Sequence, residues 1–554
     1  MKRLLLGLAA AAVCLGTGHP ALAEVDAGMK TRLDRLTAEI EALKASIKKS
    51  ETEKDTKIEG LQTRVEKTEL HSATDKISWG LDMRVRADSL HYNDVASAPA
   101  PLLGAFFTPV SMGGFNGATP AQIQQAIAQM GMAGMIPPAE KQDIDNDSIF
   151  TNRLRLNMKA KVNDNLDFQG RISSYKVFSD SNDVKMYNGM SDVTFDGNTT
   201  SLPHGDALRL ERAYFNLKGD MGDVPLNFSL GRRPSTEGSP LEYQNNSMIG
   251  GSPMAHIINW QFDGASLTFG LEEVTGITGF NFKLCYGVGF ESGWVNDPSP
   301  INGVDDVQLL GFISDLYNDE VTALTLNYAH AFGITDGFTG KTVQPFYVSR
   351  NADGSLSFTQ NTGNFVSIVN PETEIGDWDA LTLLTTHNGK ESLGADIDLF
   401  LSLGYSHTNP SRVSNIPFYQ MMGQGLLSSN GNLDSQDGFS VYTGAVFPVY
   451  DGSKFGLEYN YGSKYWFNFT GAEDSLIGSK LAARGHVYEA YFIQPIYGDN
   501  FFVTLGSRYY NYDYTGSGNP LGAPVSISSL SALDALNPVV DTAWDAYISA
   551  TMRF

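Results

Sequence analysis

The sequence of 554 residues contains only two cysteines, Cys14 and Cys285. Cys14 lies in an apolar N-terminal segment that we expect to be removed, so the mature chain would keep one cysteine and no internal disulfide. After that segment no run of about 18 apolar residues occurs, which excludes a transmembrane helix. The net charge of −23 argues against nucleic-acid binding, because an acidic surface repels the phosphate backbone.

Motifs of the common hydrolases and metalloenzymes are also missing. The nine histidines form no HExxH pair, and neither a GxSxG segment nor a CxxCH haem-attachment motif occurs. A hydrolase at the rim of a membrane protein would need a serine, a histidine and an acid close together. Four histidines are candidates, and nothing singles one out: His256, His330, His407 and His486. We therefore expect no enzymatic activity and no cofactor.

Residues 1–23 have the features of a secretory signal peptide. Lys2 and Arg3 precede an apolar run, and residues 21–23 (Ala-Leu-Ala) are small residues that favour cleavage. The apolar run is too short to anchor the mature chain in a bilayer. The exported chain is then either a soluble periplasmic protein or a barrel of the bacterial outer membrane.

Residues 24–74 are predicted to form a periplasmic coiled-coil stalk. Apolar residues recur at steps of three and four, as in a coiled-coil seam: Leu33, Leu36, Ile40, Leu43 and Ile47. A seam of this kind cannot bury itself, so it indicates neighbouring copies of the chain. We favour a parallel homotrimer, and a solvated single helix is the alternative.

From residue 75 onward the chain follows the two-residue rhythm of β-strands. Leu154, Leu156 and Met158 alternate with Arg153 and Arg155, which gives one apolar and one charged face. A turn follows, and similar hairpins recur to the C-terminus without any segment that would cover the apolar face. We predict an all-β transmembrane β-barrel over residues 75–554, with outer-membrane lipid outside and water inside.

Sixteen antiparallel strands are predicted, joined by connections that alternate between long and short. Short periplasmic turns and long external loops are typical of outer-membrane barrels. The predicted strands are 77–87, 153–162, 166–177, 208–217, 224–233, 257–271, 280–290, 307–316, 321–332, 378–386, 395–406, 439–449, 454–465, 485–496, 501–512 and 543–554. The even number places both ends of the barrel in the periplasm. The C-terminal Phe554 resembles the signal that the barrel-assembly machinery recognises.

Several segments resemble a family of porin-like bacterial outer-membrane proteins known mainly as a domain of unknown function. They are LRLNMKAKVNDNLDFQGRISSYKVF, LERAYFNLKG, LNFSLGRRPSTEGSP, FDGASLTFGLE and LCYGVGFESGW. The resemblance covers roughly residues 75–554. It implies a barrel in the outer membrane and a role in transport, and it brings no substrate and no site residues.

Basic side chains predominate on the predicted inner face of the early strands. We predict that these residues form a pore-lining basic wall: Arg84, Arg86, Arg153, Arg155, Lys159, Arg171, Arg212 and Arg233. Acidic residues of the later strands would face them: Asp396, Asp398, Glu458, Glu489 and Asp545. The resulting transverse field would orient polar solutes. The alternative is a polar lumen without selectivity.

The third long loop, which follows Arg233, carries Glu237 and Glu242. In general porins the third external loop folds into the pore and forms the constriction. We predict that these two carboxylates face the basic wall in the same way. The alternative is a loop that lies over the rim.

The first long loop, about residues 93–147, combines a predicted helix with an acidic segment. The helix begins at Thr119-Pro120 and ends at Gly131. Asp143, Asp145 and Asp147 imitate the first half of a calcium loop. The required glycine and the distal glutamate are absent, so this is not an EF-hand, and only weak surface binding of calcium is predicted.

The sequence therefore favours a trimeric outer-membrane porin through which small hydrophilic solutes diffuse passively. A solute-specific channel is an alternative, and the basic wall would favour anions. A structural barrel that sheathes a partner such as a cytochrome is another.

Overall fold

The computed structural model describes residues 34–49 and most of residues 77–554. The parts that it leaves out after residue 77 are residues 180–202, 204, 292–303, 338–339, 344, 362–365, 429–430 and 472–473. Between residues 50 and 76 only residues 54, 57, 58, 60, 61 and 65 are described. The chain divides into two compact units, Met1–Lys76 and Ile77–Phe554. The predicted signal peptide lies outside the described residues.

The first unit contains a helix, α1, over residues 34–49, and every side chain on it is exposed. Four apolar residues share one face of α1 and are each more than half exposed: Leu36, Ile40, Leu43 and Ile47. This is the apolar stripe expected of a coiled-coil helix. Its pairing with other copies stays a prediction.

The second unit is a closed antiparallel barrel of sixteen strands, which confirms the predicted barrel and its strand number. The strands are β1 (Ser78–Ser97), β2 (Glu140–Lys161), β3 (Leu166–Val177), β4 (Arg209–Met221), β5 (Val224–Arg232), β6 (Asp263–Gly270), β7 (Asn281–Phe290), β8 (Val307–Asn318), β9 (Thr322–Thr335), β10 (Glu374–Asn388), β11 (Asp398–Pro410), β12 (Gln436–Pro448), β13 (Lys454–Gly462), β14 (Gly485–Tyr497), β15 (Phe501–Tyr512) and β16 (Thr542–Arg553). Each strand pairs with the next, and β1 pairs with β16 to close the wall.

The connections alternate between long and short, as the sequence predicted. The long connections, L1 to L8, are residues 98–139, 178–208, 233–262, 291–306, 336–373, 411–435, 463–484 and 513–541. The short turns are residues 162–165, 222–223, 271–280, 319–321, 389–397, 449–453 and 498–500. The beginning of β1 and the end of β16 lie at the end of the barrel that carries the short turns.

The wall has an apolar outer face, and its inner face is charged on the early strands. On β2, Leu154 is 39% exposed, whereas its neighbours Arg153 and Arg155 are 4% and 5% exposed. Large apolar side chains continue around the outer face: Leu210, Leu284, Leu381, Leu403, Leu457, Leu505 and Ile548. None of the helices in the described part of the chain combines the length and apolar character needed to cross a membrane.

Three predicted strand boundaries are wrong by several residues. β1 and β2 extend to Ser97 and back to Glu140, so L1 is shorter than the predicted loop at 93–147. The predicted strand at 257–271 is limited to β6, because residues 257–262 belong to L3 and are buried against other loops. Within that segment Ile258–Asn259 pairs in parallel with Phe469–Thr470 of L7. An apolar segment inside the lumen has the same composition as a buried strand.

Four long loops pack together in a cap with its own apolar core. L1 contributes α2 (Ala100–Phe107) and α3 (Pro120–Met132), L5 a hairpin of Phe346–Arg350 with Leu356–Gln360, and L6 a short helix, Pro417–Met421. Their apolar side chains meet those of L8 in one cluster. The α3 helix confirms the predicted start at Thr119-Pro120, where Thr119 and Gln122 form a capping box.

Candidate functional site: the charged interior of the barrel

L3 folds into the barrel and reaches the opposite wall. It leaves β5 beside the arginines of β2 to β4, and its short helix α4 (Glu242–Asn245) docks where Tyr243 stacks on Phe400 of β11 at 5.4 Å. Arg553, at the end of β16, donates to the backbone carbonyl oxygens of Asn245 and Asn246 at 3.0 and 2.8 Å. The loop is thereby attached to both sides of the lumen.

Glu237 of L3 lies against three arginines of the wall. Arg171 and Arg212 donate to its carboxylate at 2.8 and 3.1 Å, and Arg155 donates to its other oxygen. The backbone of Glu237 has a φ of 61°, a left-handed conformation that non-glycine residues seldom adopt. The ion pairs compensate for this strain and fix the carboxylate in place.

A β-bulge supplies a second carboxylate to the same cluster. The pairing of β3 with β4 shifts between Arg171/Arg212 and Ile172/Leu210, which leaves Glu211 without a partner. Both Glu211 and Arg212 are buried, so two successive side chains enter the lumen. Glu211 then pairs with Arg155 at 3.1 Å and with Arg171 at 3.0 Å.

Asp474 of L7 and Asp82 of β1 extend the network. Arg84 lies 3.2 Å from Asp474, and Arg153 contacts both Asp474 and, at 3.1 Å, Asp82. Arg553 lies 2.7 Å from the other oxygen of Asp82. L3 and L7 therefore each insert one carboxylate between arginines of the wall.

The network carries an excess of positive charge. Among the described residues it joins six arginines (Arg84, Arg153, Arg155, Arg171, Arg212 and Arg553) to four carboxylates (Asp82, Glu211, Glu237 and Asp474). Burial by itself would favour the neutral acids, but the arginines hold the pKa of Glu237 well below its usual value. They lower the pKa of Asp474 in the same way. Both loop carboxylates are therefore ionised.

A second buried cluster joins L7 to β13 and β14. Lys480 of L7 contacts Glu458 and lies 2.6 Å from Glu489. Tyr491 and Tyr547 donate to these two carboxylates, each at 3.0 Å. Although burial favours the neutral amine, the two carboxylates hold the pKa of Lys480 above its usual value. Of the acids predicted for the later strands, Glu458 and Glu489 belong to this cluster, and Lys480 of L7 neutralises them in part.

The structure places Glu242 away from the arginines, contrary to the predicted arrangement. It lies near Glu458 and Asp398, because α4 docks on the far wall. Burial, reinforced by these like charges, raises the pKa of Glu242 to about 7. Its neighbour Gln244 donates to Glu489 at 2.8 Å and accepts from Lys480 at 2.8 Å.

Three further residues of the predicted basic wall lie outside this network. Arg86 is buried beside Asp88 at 2.6 Å and stacks over the Tyr547 ring. Arg233 points to Ser266 of β6 rather than to Glu237. Lys159 is exposed near the short-turn end of β2. The predicted acid Asp545 pairs with Arg508, so it belongs to the basic side.

L3 and L7 also share an apolar core inside the barrel. Their residues pack with inward side chains of β8 to β10. The largest members of this core include Trp378 of β10 and Trp466 of L7. His256 of L3 is hydrogen-bonded to Ser402 and Ser440, each at 2.8 Å, and burial lowers its pKa to about 3. A neutral buried histidine between two serines ties L3 to the wall.

Sequence reasoning missed Glu211, Asp474 and Lys480. Two successive charged residues inside an alternating strand, Glu211 and Arg212, were a signal of the bulge. Nothing in the local pattern distinguishes Asp474 or Lys480 from other loop charges, because their role depends on where L7 lies.

The acidic segment at Asp143, Asp145 and Asp147 is part of β2 and not of a loop. Asp145 contacts His91 at 2.7 Å, and Asp143 accepts from the backbone of Asp94 at 2.9 Å. Within the described residues no group of three or more His, Cys, Asp or Glu side chains is arranged to hold a metal ion. Because the strand is extended, the three carboxylates are spaced along it and do not meet at one point where a cation would bind.

Among solved structures the chain is similar to OprB of Pseudomonas putida, with 12% identity, a TM-score of 0.40 and coverage of 88% of this chain and 96% of that one. It is also similar to OmpT of Vibrio cholerae, with 11% identity, a TM-score of 0.37 and coverage of 87% and 100%. A third similar structure is OmpF of Salmonella typhi in complex with daunomycin, with 11% identity, a TM-score of 0.37 and coverage of 86% of this chain and 97% of that one. Similarities of this size transfer no solute, partner or oligomeric state to the chain.

No curated protein matches the sequence. The family model described as "Protein of unknown function (DUF3373)" matches residues 143–554. The match covers most of the chain, from near the start of β2 to the end of β16. The chain therefore belongs to the DUF3373 family of proteins of unknown function.

Proposed function

We propose that the protein is a porin of the bacterial outer membrane that lets small hydrophilic solutes diffuse through its lumen. The observation that carries this proposal is the closed wall with exposed leucines outside and charged side chains inside. Backbone groups within a bilayer must be satisfied internally, and a closed barrel meets this requirement. A barrel of sixteen strands is also wide enough to enclose an aqueous passage.

L3 would set the narrowest part of that passage. Glu237 and its arginines hold one side of the loop, and α4 holds the other. Nearer the short turns, inward polar side chains are only half-buried, among them Asn157, Gln169, Tyr214 and Lys283. The surplus of arginine at the constriction favours anions over cations of the same size.

Single-channel conductance in planar bilayers tests the proposal. The wild-type protein should form stable open channels with a preference for anions. Glu237→Gln should increase the conductance, because it weakens three ion pairs that hold L3 to the wall. The matched control is Glu273→Gln, which removes an exposed carboxylate from the turn between β6 and β7.

Two outcomes would contradict different parts of this proposal. If the correctly folded wild-type protein shows no conductance, the porin function is wrong. If wild-type channels open but Glu237→Gln and Glu273→Gln behave alike, the constriction by L3 is wrong and the porin function stands.

The N-terminal segment would form a periplasmic stalk that joins three barrels. The exposed apolar stripe of α1 supports this, since exposed leucine and isoleucine at coiled-coil spacing are stabilised by partner helices. Phe554 is 73% exposed at the end of β16, where the assembly machinery for outer-membrane barrels could bind it.

A second candidate is a structural barrel that holds a partner, such as a cytochrome, without conducting solutes. The packing of L3 and L7 inside the lumen favours it, because these loops occupy space that a wide pore would need. Absence of conductance from the folded protein would support this candidate over the porin.

A further inference from the structure

Ser89, His91 and Asp145 form a hydrogen-bonded chain on the barrel wall. The Ser89 hydroxyl lies 2.9 Å from Nε2 of His91, and Nδ1 of the same ring lies 2.7 Å from Oδ1 of Asp145. Ser89 and His91 are two residues apart on β1, and Asp145 is the cross-strand partner of His91 on β2. A nucleophile, a base and an acid that orients the base stand in this order in serine hydrolases.

These three side chains face outward. Inward positions on β1 are the even-numbered residues around Arg86 and Leu90, which are buried. Ser89 and His91 are half-buried and Asp145 is exposed. The indole of Trp544 stacks on the imidazole of His91 at 3.9 Å and 11°, which holds the ring in its plane.

The chain lies within a row of outward aromatic residues near the long-loop end of the barrel. His91 pairs with Trp544, Trp544 with Tyr509, and Tyr509 with Tyr488 across successive strands. Such girdles mark the boundary between membrane and water. The ester bonds of membrane lipids lie at this boundary.

A comparison with other outward histidines separates this site from ordinary girdle contacts. His330 and His407 pair with Asp379 and Asp437 at 2.7 and 2.8 Å in the same cross-strand arrangement. Within the described residues neither of these pairs is extended by a serine hydroxyl. The pair of His486 with Asp513, at 3.6 Å, is extended by the hydroxyl of Tyr459 at 2.8 Å. Among the described residues a serine extends only the pair of His91 with Asp145.

The wall is also irregular beside the serine. The pairing of β1 with β2 shifts between Asp88/Ile149 and Leu90/Asn146, so Asp147 and Ser148 lie opposite Ser89 outside the regular ladder. In a β-bulge the extra residue of the bulged strand is left unpaired, and the ladder hydrogen bonds are locally disrupted. The bulge therefore leaves two residues of β2 outside the ladder beside the Ser89 hydroxyl, and the amide of one of them, Ser148, donates to Asn146 Oδ1 at 3.3 Å.

We propose that Ser89, His91 and Asp145 hydrolyse acyl esters of membrane lipids at the outer surface of the barrel. This activity is independent of the lumen and of the proposed porin function. It departs from the sequence-based expectation of no enzymatic activity. The four candidate histidines named from the sequence do not include His91.

In the reaction Ser89 Oγ attacks the acyl carbonyl carbon while Nε2 of His91 takes the hydroxyl proton. The tetrahedral intermediate collapses, the bond to the alcohol oxygen breaks, and His91 returns the proton to that oxygen. Water then attacks the acyl-serine with His91 as base, which releases a fatty acid and restores Ser89. Asp145 is a positioning residue that keeps the imidazole in the required tautomer.

The test uses the full-length protein in mixed micelles of dioleoyl phosphatidylethanolamine and a non-ionic detergent. Release of oleic acid is measured, and a fluorophosphonate probe with peptide mass spectrometry identifies any labelled serine. We expect oleate release and labelling of Ser89. Ser89→Ala and His91→Asn should each lower the rate by about 10³-fold or more.

Matched controls separate catalysis from structure. His330→Asn removes a histidine–aspartate pair of the same geometry and should leave oleate release unchanged. Asp145→Asn should lower kcat with little change in KM, and Asp145→Glu should restore part of it. Conductance of the Ser89→Ala variant should equal that of the wild type, which confirms that the barrel is intact.

No oleate release and no labelling of Ser89 in the wild-type protein would overturn the proposal. Oleate release that persists in Ser89→Ala would overturn it as well, because the activity would then belong to another group or to a contaminant. Neither result would affect the porin function, which the conductance measures separately.

Discussion

Inward glycines make room for the large aromatic residues that hold the acidic cluster. Gly456 pairs across strands with Tyr491, and a Cβ added at Gly456 would lie 2.1 Å from Cζ of that ring. Gly506 likewise pairs across strands with Tyr547, and a Cβ added at Gly506 would lie 2.4 Å from Cζ of that ring. These two tyrosines donate hydrogen bonds to Glu458 and Glu489. The glycines, which have no side chain, leave room for the tyrosine rings, and the buried carboxylates thereby receive their hydrogen bonds.

We expect Gly456→Ala to destabilise the barrel by about 1–3 kcal/mol, the usual cost of overpacking a well-packed site. The methyl group would displace Tyr491 and remove its hydrogen bond to Glu458. The effect is measured as the urea concentration at the midpoint of unfolding. Unfolding is followed on gels by the loss of the faster-migrating band of the folded barrel. Gly219→Ala on β4 is the control, since a methyl group added there would meet no other atom within 4 Å. Equal midpoints for the two variants would contradict the prediction.

At the scale of the element, L3 is held by two carboxylates with opposite pH behaviour. Glu237 stabilises the docked loop when ionised, so its contribution is present above the ordinary pKa of 4.5 and is lost as the pH falls through its lowered value. Glu242 is the reverse case. Its pKa rises from 4.5 to about 7 in the docked loop, so its contribution is complete below 4.5 and is lost as the pH rises through 7.

We therefore expect α4 to loosen between pH 5 and pH 8 while the Glu237 end stays docked. Hydrogen exchange of residues 241–250, corrected for the intrinsic pH dependence of exchange, should show less protection at pH 8. Glu242→Gln should remove this difference, because an amide does not titrate. An equal pH response in the wild type and in the Glu242→Gln variant would exclude Glu242 as its cause.

The strands were predictable from sequence and the interior loops were not. Alternation such as that of Leu154 with Arg155 is local, because neighbouring side chains on a strand point to opposite faces. The positions of Asp474 and Glu242 depend on how L7 and L3 cross the lumen, which is a matter of long-range packing. The apolar residues at 257–262 led to a wrong strand prediction for the same reason, since they are buried by L7 and by inward side chains of the wall and not within the wall itself.

For the whole molecule, the preference for anions can be tested at a residue outside the buried network. Lys159→Glu should shift the reversal potential in a salt gradient toward cation preference, because Lys159 is exposed near the short-turn end. Lys390→Glu, in the exposed turn between β10 and β11, is the control. An unchanged reversal potential in the Lys159→Glu variant would show that this charge does not act on the permeating ions.

Reversing Arg153 and Arg155 instead would be less informative. The new carboxylates would stand beside Asp82, Glu211 and Glu237 in a buried site. Like charges without partners there cost several kcal/mol, so misfolding would obscure any change in selectivity.

The proposed trimeric stalk predicts a dependence of oligomeric state on α1. Leu36→Asp combined with Leu43→Asp should reduce the yield of cross-linked trimer, because both changes place charge in the apolar stripe. Ala38→Asp combined with Ala45→Asp adds the same charge on the opposite face of α1 and serves as the control. Trimer yields that match the wild type in both variants would remove α1 from the trimer contact.

The attachment of L3 to Arg553 has a consequence for biogenesis. Arg553 belongs to the strand that seals the wall against β1, so it reaches its place only when the seam has closed. L3 then receives its last anchor after every strand has been inserted. Closure of the seam and the final fixing of L3 across the lumen are therefore expected to be one event.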